Sequence, residues 1–221
     1  SMASPAPSTI PIARTPEEWA VEMARLKERS FHGKQVFKWI HQRGVTDAAA
    51  MTDLPASLRA KLTEEGLKSV LDVVTERRAL DNTRKLLVGM GDGANVETVL
   101  IPRLQKGDPE DADAAAAVDD EEDPELGPTS ASSPIPVTQC ISTQVGCAMG
   151  CVFCASGQAG LQRGLTASEI VSQVLISKTY LTPNEELKNL VFMGMGEPLH
   201  HYDETARAIR LLTHPAARGM S

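Results

Sequence analysis

The sequence predicts an α/β fold, in which a small helical domain and a three-stranded antiparallel unit precede the start of a parallel barrel. Three observations support this. Apolar residues recur at helical spacing up to about residue 68, and β-branched residues then dominate residues 69–102. From residue 136 onward, strand-like and helix-like segments alternate. Two strand–helix units precede the end of the 221-residue sequence, so only the first part of a barrel is expected.

Residues 15–68 are predicted to form the helical domain. The string Thr15-Pro16-Glu17-Glu18 is a strong helix start, because threonine caps helices, proline suits the first helical position and a glutamate follows three residues after the cap. A second helix is expected over residues 33–42, and a third after residues 52–55.

Residues 69–102 are predicted to form the antiparallel unit. Turn residues at Asp81-Asn82 and at Asp92-Gly93 separate its strands, and the second pair is a strong hairpin signal. The three strands are expected over residues 70–77, 84–89 and 95–101. Residues 136–221 then supply the barrel segment, with a buried strand over residues 187–193.

The negative charge of the chain is concentrated in one stretch. Residues 108–125 carry ten acidic residues and no lysine or arginine, and the rest of the chain has 19 acidic and 22 basic residues, a net charge of +3. Residues 103–135 are therefore predicted to be a disordered acidic linker, a solvated tether in preference to a regulatory element. Residues 1–14 are rich in proline and are also predicted to be disordered, with a tag remnant at the start.

Three of the four cysteines, Cys147, Cys151 and Cys154, lie within eight residues at a C-x3-C-x2-C spacing. Thiolates this close together suit an iron–sulfur cluster or another thiolate-bound metal. Since a closed site normally takes four ligands, the fourth position is either supplied elsewhere or left open. A zinc site completed by Cys140 or a histidine remains the alternative. This use of cysteine, with no signal peptide and no apolar run of membrane-spanning length, predicts a cytoplasmic location.

The cysteine spacing is the signature of radical S-adenosylmethionine (SAM) enzymes. The surrounding strings resemble more narrowly the RlmN/Cfr group of RNA adenine methyltransferases, and the resemblance extends over nearly all of residues 20–221 except the linker. The matching strings lie at residues 37–40, 96–102, 139–160, 165–170 and 192–199.

This resemblance implies a partial radical SAM (β/α)6 barrel, of which the first two βα units are present. Family members continue further, so the chain looks like the N-terminal portion of an enzyme. Cys147, Cys151 and Cys154 would bind three irons of a [4Fe–4S] cluster, whose fourth iron is left for SAM. The implied reaction is methylation of adenine C2 in 23S rRNA and tRNA. A Cfr-like C8 reaction, or a non-catalytic RNA-binding fragment with a metal loop, remains an alternative.

The resemblance also implies cofactor-binding residues outside the cysteines. Gly194 and Gly196 would let the backbone approach SAM, and Glu197 would accept a hydrogen bond from the SAM ammonium group. Phe153 would shield the cluster or lie beside SAM. The alternatives are an ordinary glycine-rich turn with a solvated glutamate, and a core aromatic.

Two further residues carry catalytic roles by resemblance. Glu97 would be a general base facing the active site, and Cys140 a thiol that helps to resolve an enzyme–RNA adduct. From pattern alone, Glu97 is an outward-facing carboxylate opposite Val96 and Thr98, and Cys140 is a small buried hydrophobe. No cysteine follows Cys154 to act as the methyl carrier, so the chain alone is predicted to be inactive.

RNA is the expected partner, with an external reductant such as flavodoxin or ferredoxin, and the protein is expected to be a monomer that does not bind membranes. Basic residues of the helical domain and of the hairpins are candidates for phosphate contacts. They are Arg25, Lys27, Arg29, His32, Lys34, Lys38, His41 and Arg43, and then Arg77, Arg78, Arg84 and Lys85.

Overall fold

The computed structural model describes residues 10–103, 134–158 and 160–217, which form a mixed α/β fold around one five-stranded sheet. The disorder predicted for residues 1–9 and for most of the linker lies outside these residues. The helices are α1 (Pro16–Arg25), α2 (Phe31–His41), α3 (Ala56–Glu64), α4 (Ala155–Gln158), α5 (Ala167–Lys178) and α6 (Tyr202–Leu212). Within the described ranges, no helix is both long and apolar enough to cross a membrane.

Helices α1, α2 and α3 form within residues 15–68, where the sequence predicts helices, while a separate helical domain remains a prediction. Helix α1 begins at a complete capping box, in which the Glu18 amide donates to Thr15 Oγ1 at 3.2 Å and the Thr15 amide donates to the Glu18 carboxylate at 2.9 Å. The side chains of Trp19, Phe37 and Leu58, one from each of the three helices, are fully buried. These side chains belong to one apolar core that also contains Leu86 of the sheet and Ile170 of α5.

Residues 10–14 are ordered, which corrects the prediction of disorder up to residue 14. Residues 11–13 form a short 3-10 helix in which Ile12 and Ala13 are buried. This turn contacts α5 and α6, and the Arg207 guanidinium donates to the Ala13 carbonyl at 2.9 Å. Burial against distant helices thus orders a segment whose composition alone favours disorder.

The sheet joins the predicted antiparallel unit to the predicted barrel segment. Strands lie in the order β1-β2-β3-β4-β7, antiparallel from β1 to β4 and parallel between β4 and β7. The predicted hairpins are confirmed, but their three strands do not form a separate sheet. The third of them, β3, pairs with β4, so all five strands belong to one sheet. The strands are β1 (Leu71–Arg78), β2 (Arg84–Met90), β3 (Asn95–Pro102), β4 (Ile135–Cys140), β5 (Gln144–Val145), β6 (Arg163–Gly164) and β7 (Glu185–Val191), of which β5 and β6 pair apart from the sheet.

Strand β7 is not the buried strand that the sequence predicts. It spans residues 185–191 instead of 187–193, and each of its seven residues is at least partly exposed, although the carboxylate of Glu185 is buried. The reason is its position, because β7 is the outer strand next to β4 in the described part of the chain. A parallel strand pair with a helical crossover fits the start of a barrel, while closure of a barrel remains a prediction.

Helix α5 crosses between β4 and β7 and begins at a second capping box, formed by Thr166 and Glu169. It buries Ile170, Val171 and Val174 in the core. Both the helix and its start are predicted by the sequence. The observed helix ends at Lys178, whose ammonium group donates to the His41 carbonyl at 2.7 Å.

His41 is almost fully buried between the helical domain and the later helices. Its ring lies 4.3 Å from that of Phe37, which also contacts the ring of His214 at 5.3 Å. Burial, the Lys178 ammonium and the His214 ring together lower the pKa of His41 to about 3, against an opposing hydrogen bond with the Ile12 backbone. His41 is therefore neutral in the folded chain at neutral pH.

The buried His41 predicts a pH dependence of folding. Because its folded pKa lies below the ordinary value of 6.5, the unfolded chain binds the proton more readily, and stability falls as pH drops from 6.5 toward 3. Between pH 7.5 and pH 5 the loss of folding free energy should be about 2 kcal/mol, from about 1.4 kcal/mol per pH unit.

Urea unfolding at the two pH values measures this loss. His41→Phe should remove that part of the drop, whereas His200→Gln, at an exposed histidine, should retain it. An equal drop in His41→Phe and in the unchanged chain would contradict the assignment.

Candidate active site

The candidate site lies where β4 and β7 end. Since these strands are parallel, the segments that follow them leave the sheet at the same edge. The amides of Thr143 and Gln144 both donate to the Met195 carbonyl, at 2.8 and 3.2 Å, and the Glu197 amide donates to Gln144 Oε1 at 3.0 Å. The residues leading to the cysteines are therefore bonded directly to the predicted SAM-binding segment, which we call the 194–197 turn.

The three clustered cysteines lie on one loop, residues 146–154, which we call the cysteine loop. Cys147 is buried, while Cys151 and Cys154 are half-buried, and no disulfide joins any of the four cysteines. The Cys147 amide donates to the Gly160 carbonyl at 3.2 Å, and the Met149 amide donates to Cys147 Sγ at 3.5 Å. Amide donation to a sulfur atom is one way in which proteins tune iron–sulfur clusters.

The residues of the cysteine loop fit an iron–sulfur cluster by their chemistry. Three thiols are presented on one loop, and soft sulfur ligands select such clusters. Within residues 10–103, 134–158 and 160–217, no three His, Cys, Asp or Glu side chains are already arranged to hold a metal ion. Cluster binding by Cys147, Cys151 and Cys154 thus remains a prediction about these donors.

Phe153 does not belong to the core. Its side chain is 89% exposed and lies between two cysteines of the loop, beside the equally exposed Val152. The alternative of a core aromatic is therefore wrong, and a role in covering the cluster or SAM remains a prediction. Met149, on the same loop, is also exposed, so the loop presents an apolar surface around its thiols.

The two glycines of the 194–197 turn are needed by the packing of the protein itself. A Cβ atom at Gly194 would lie 2.7 Å from Ser142 Oγ, and one at Gly196 would lie 2.5 Å from Gln144 Cβ. Gly196 also has a φ angle of +103°, which side chains rarely adopt. The 194–197 turn therefore packs closely against Ser142 and Gln144, which precede the cysteine loop. This close packing requires glycine, and the sequence did not reveal it.

Glu197 is half-buried and follows the turn. One of its carboxylate oxygens accepts the Leu199 amide at 3.0 Å and caps the 3-10 helix of residues 198–201. This bond fixes the carboxylate near the carboxyl ends of the parallel strands. SAM binding by Glu197, Gly194 and Gly196 remains a prediction, and so does the alternative of a glycine-rich turn with a solvated glutamate.

The structure brings Glu97 and Cys140 to the same face of the sheet. Val96 and Thr98 are buried on the opposite face, as strand alternation predicts. Cys140 lies opposite Val99 in the β3–β4 ladder, so Glu97 is its diagonal neighbour. The Glu97 carboxylate is 45% exposed and lies 3.2 Å from the Lys85 ammonium.

Cys140 is only half-buried, so it is not the fully buried hydrophobe that its position in a strand indicates. Burial nevertheless raises the pKa of its thiol. A thiol with a raised pKa stays protonated at neutral pH. Cys140 can therefore hold a proton on the same face of the sheet as Glu97.

Sequence reasoning missed the buried amide groups that fix this edge of the sheet. The Gln173 side chain pairs with the backbone of Ser142, accepting its amide at 3.0 Å and donating to its carbonyl at 2.8 Å. The Gln139 amide donates to Thr98 Oγ1 at 2.9 Å and to Ser177 Oγ at 2.7 Å. The available signal was the pair Gln173 and Ser177, whose polar side chains lie one helical turn apart on α5.

The basic residues divide into buried and exposed sets. His32, His41 and Arg84 are buried and are not available for phosphate contacts, which corrects their assignment. Arg25 forms ion pairs with Glu22 and Glu65, and Lys85 pairs with Glu97. The exposed set along the helical domain is Lys27, Arg29, Lys34, Lys38 and Arg43, and the Arg43 guanidinium lies 4.0 Å over the Trp39 ring.

The fold has a close counterpart among solved structures. A radical SAM methyltransferase from Sphaerobacter thermophilus superposes with a TM-score of 0.71 and 32% identity, covering 96% of this chain and 53% of that one. The chain thus has a mixed α/β fold that resembles about half of a radical SAM methyltransferase.

Comparison of sequences narrows the class. Residues 17–66 match the model of the ribosomal RNA large subunit methyltransferase N-terminal domain. A protein of Sorangium cellulosum named dual-specificity RNA methyltransferase RlmN is 56% identical over 215 residues, 96% of this chain and 55% of that protein. A Lawsonia intracellularis protein of the same name is 38% identical over 201 residues, 89% of this chain and 49% of that protein. The chain is RlmN-like, which confirms the resemblance inferred from its motifs, and it spans about half the length of the curated relatives it matches.

Proposed function

We propose that this chain supplies the cofactor-binding half of a radical SAM enzyme that methylates adenine C2 in 23S rRNA and tRNA. The cysteine loop would hold a [4Fe–4S] cluster through Cys147, Cys151 and Cys154. With SAM, the bound cluster supplies the one-electron chemistry that starts the reaction. The 194–197 turn and Glu197 would bind SAM, with Phe153 covering the cofactor side of the loop.

The observation that carries the proposal is the meeting of three segments at one edge of the sheet. The cysteine loop follows β4, the 194–197 turn follows β7, and the face with Glu97 and Cys140 lies beside them. In parallel α/β folds, ligands bind at the carboxyl ends of the strands. The likeness to proteins named RlmN supports the choice of RNA as substrate.

Glu97 and Cys140 would handle protons and the RNA adduct. The Glu97 carboxylate is accessible, and the Glu97 backbone bonds to Ser142, which also holds the 194–197 turn. The carboxylate would therefore remove a proton from a bound adenine. Cys140 would help to resolve the covalent adduct. Its methyl-carrying partner would have to lie outside this chain, in a protein of the length of its relatives.

The partners follow from this chemistry. RNA would contact the exposed basic residues of the helical domain, and a flavodoxin or ferredoxin would supply electrons. We further propose that the protein is monomeric. We also propose that it is cytoplasmic, because a reducing compartment preserves clustered thiols. These assignments rest on the cysteine loop and on the RlmN likeness.

The test is methylation by the complete reading frame that contains this chain. The protein is purified anaerobically and incubated with SAM, a reductant and unmodified 23S rRNA or tRNA, and the modified base is mapped by mass spectrometry. We expect 2-methyladenosine. The Glu97→Gln variant should lower the rate at least about 100-fold, as removal of a general base does.

Glu186→Gln is the matched control, because Glu186 is 47% exposed and paired with Lys188, much as Glu97 is 45% exposed and paired with Lys85. This variant should retain the full rate. 8-Methyladenosine would favour the C8 alternative, and RNA binding without methylation the non-catalytic one. The 221-residue chain alone should transfer no methyl group, since no cysteine follows Cys154.

A further inference from the structure

The hydroxyl group of Ser142 bonds to two of the three segments that meet at the candidate site. Ser142 lies between Cys140 and the cysteine loop, and its side chain is fully buried. Its hydroxyl donates to the Glu97 carbonyl at 2.6 Å and accepts the Met195 amide at 2.9 Å. The hydroxyl thus donates its proton to β3 at Glu97 and accepts a hydrogen bond from the 194–197 turn with a lone pair, so it links these two segments.

These bonds lie where the regular sheet ends. The β3–β4 ladder runs only as far as the pair Val99 and Cys140, so Glu97 has no ladder partner on β4. The Ser142 hydroxyl supplies the link from β4 to the backbone of Glu97 instead. The 194–197 turn likewise follows the last β4–β7 pair, and the hydroxyl holds its Met195 amide.

Ser142 is itself fixed from the other side of the sheet. Gln173 on α5 pairs with both backbone groups of Ser142, at 3.0 and 2.8 Å. Gly194 packs directly on the hydroxyl, since a Cβ at that position would lie 2.7 Å from Ser142 Oγ. The hydroxyl therefore occupies a defined position, with little room for either partner segment to move.

We propose that Ser142 is a positioning residue, whose hydroxyl holds the 194–197 turn and the Glu97 segment of β3 in the relative arrangement that SAM binding requires. The proposal rests on the proposed function, because it takes the turn to be the SAM-binding segment. Ser142 touches no reacting atom and acts through Glu97 and Met195. Removing the hydroxyl leaves the partly buried Met195 amide and Glu97 carbonyl without this partner, which loosens both segments.

The experiment compares two buried serines in the complete reading frame that contains this chain. Ser142→Ala removes both hydrogen bonds. Ser172→Ala is the matched control, because Ser172 is also buried and its hydroxyl has no hydrogen-bond partner among the described residues. Hydrogen exchange of the Met195 amide and SAM binding by equilibrium dialysis are measured, with RNA affinity and urea unfolding in parallel. Ser142→Thr, which keeps the hydroxyl, tests rescue.

We expect the Met195 amide to exchange at least about tenfold faster in Ser142→Ala, and SAM to bind about tenfold more weakly, as the loss of a buried hydrogen bond implies. RNA affinity should not change, Ser172→Ala should match the unchanged protein, and Ser142→Thr should recover SAM affinity. Unchanged exchange, unchanged SAM affinity, or failure of Ser142→Ala to fold would each overturn the positioning role. If the unchanged protein binds no SAM, the proposed function fails, and the exchange result still decides whether Ser142 holds the turn.

Discussion

Replacing Gly146 by alanine should prevent the cysteine loop from forming and should lower bound iron from about four atoms per chain to less than about one. Gly146 has a φ angle of +75°, and a Cβ atom there would lie 1.8 Å from the Gly160 carbonyl oxygen. That oxygen is a backbone atom that accepts the Cys147 amide, so it cannot move without displacing the first cysteine. Iron analysis after anaerobic reconstitution with iron and sulfide measures the effect.

Gly150 provides the control within the same loop. Its φ angle is +61°, but a Cβ atom there would meet nothing within 4 Å. Gly150→Ala should therefore cost only the strain of a left-handed residue, about 1–2 kcal/mol, and should retain most of the iron. Equal iron contents in the two variants would show that close contact with Gly160 does not determine the shape of the loop.

Replacing Arg84 by methionine should destabilise the chain by about 3–5 kcal/mol, the usual cost of removing one partner of a buried ion pair. Arg84 is fully buried and binds both carboxylate oxygens of Glu185, each at 2.8 Å, and the Tyr180 carbonyl at 2.7 Å. Burial alone would raise the pKa of Glu185, but the Arg84 guanidinium and the Thr182 amide outweigh it and hold that pKa below its ordinary value. The methionine variant would leave this carboxylate buried without its cation.

Lys85, the next residue, is the control that separates the effect of burial from the loss of an ion pair. Its ion pair with Glu97 is about half exposed, so Lys85→Met should change the free energy of unfolding by at most about 1 kcal/mol. The double variant Arg84→Met with Glu185→Leu should recover most of the stability, because an apolar pair can replace a buried ion pair. Urea unfolding measures all three variants. A small effect of Arg84→Met alone would contradict this account.

The sequence predicts those elements that depend on neighbouring residues. Both capping boxes, at Thr15 and at Thr166, need only a glutamate three residues later, and both helices begin there. The Asp92-Gly93 hairpin is equally local, and Gly93 has the left-handed φ angle of +85° that such turns require. The side of β3 that carries Glu97 follows from strand alternation alone.

What the sequence does not predict depends on contacts between distant residues. Arg84 is one of the basic residues that the sequence offers for phosphate contacts, but it is buried with its partner Glu185, which lies 101 residues later. Gly194 indicates a ligand-binding turn, whereas its close contact is Ser142 of the same chain. The role of the Ser142 hydroxyl depends on residues 45 and 53 positions away, which no local pattern identifies.

The central claim is that Cys147, Cys151 and Cys154 hold a [4Fe–4S] cluster that binds SAM. The most direct test is anaerobic reconstitution of the protein with iron and sulfide, followed by metal analysis and electron paramagnetic resonance of the reduced sample with and without SAM. We predict about four irons per chain, brown charge-transfer absorption, and a spectrum that changes when SAM is added. Stoichiometric zinc with no iron uptake would contradict the account.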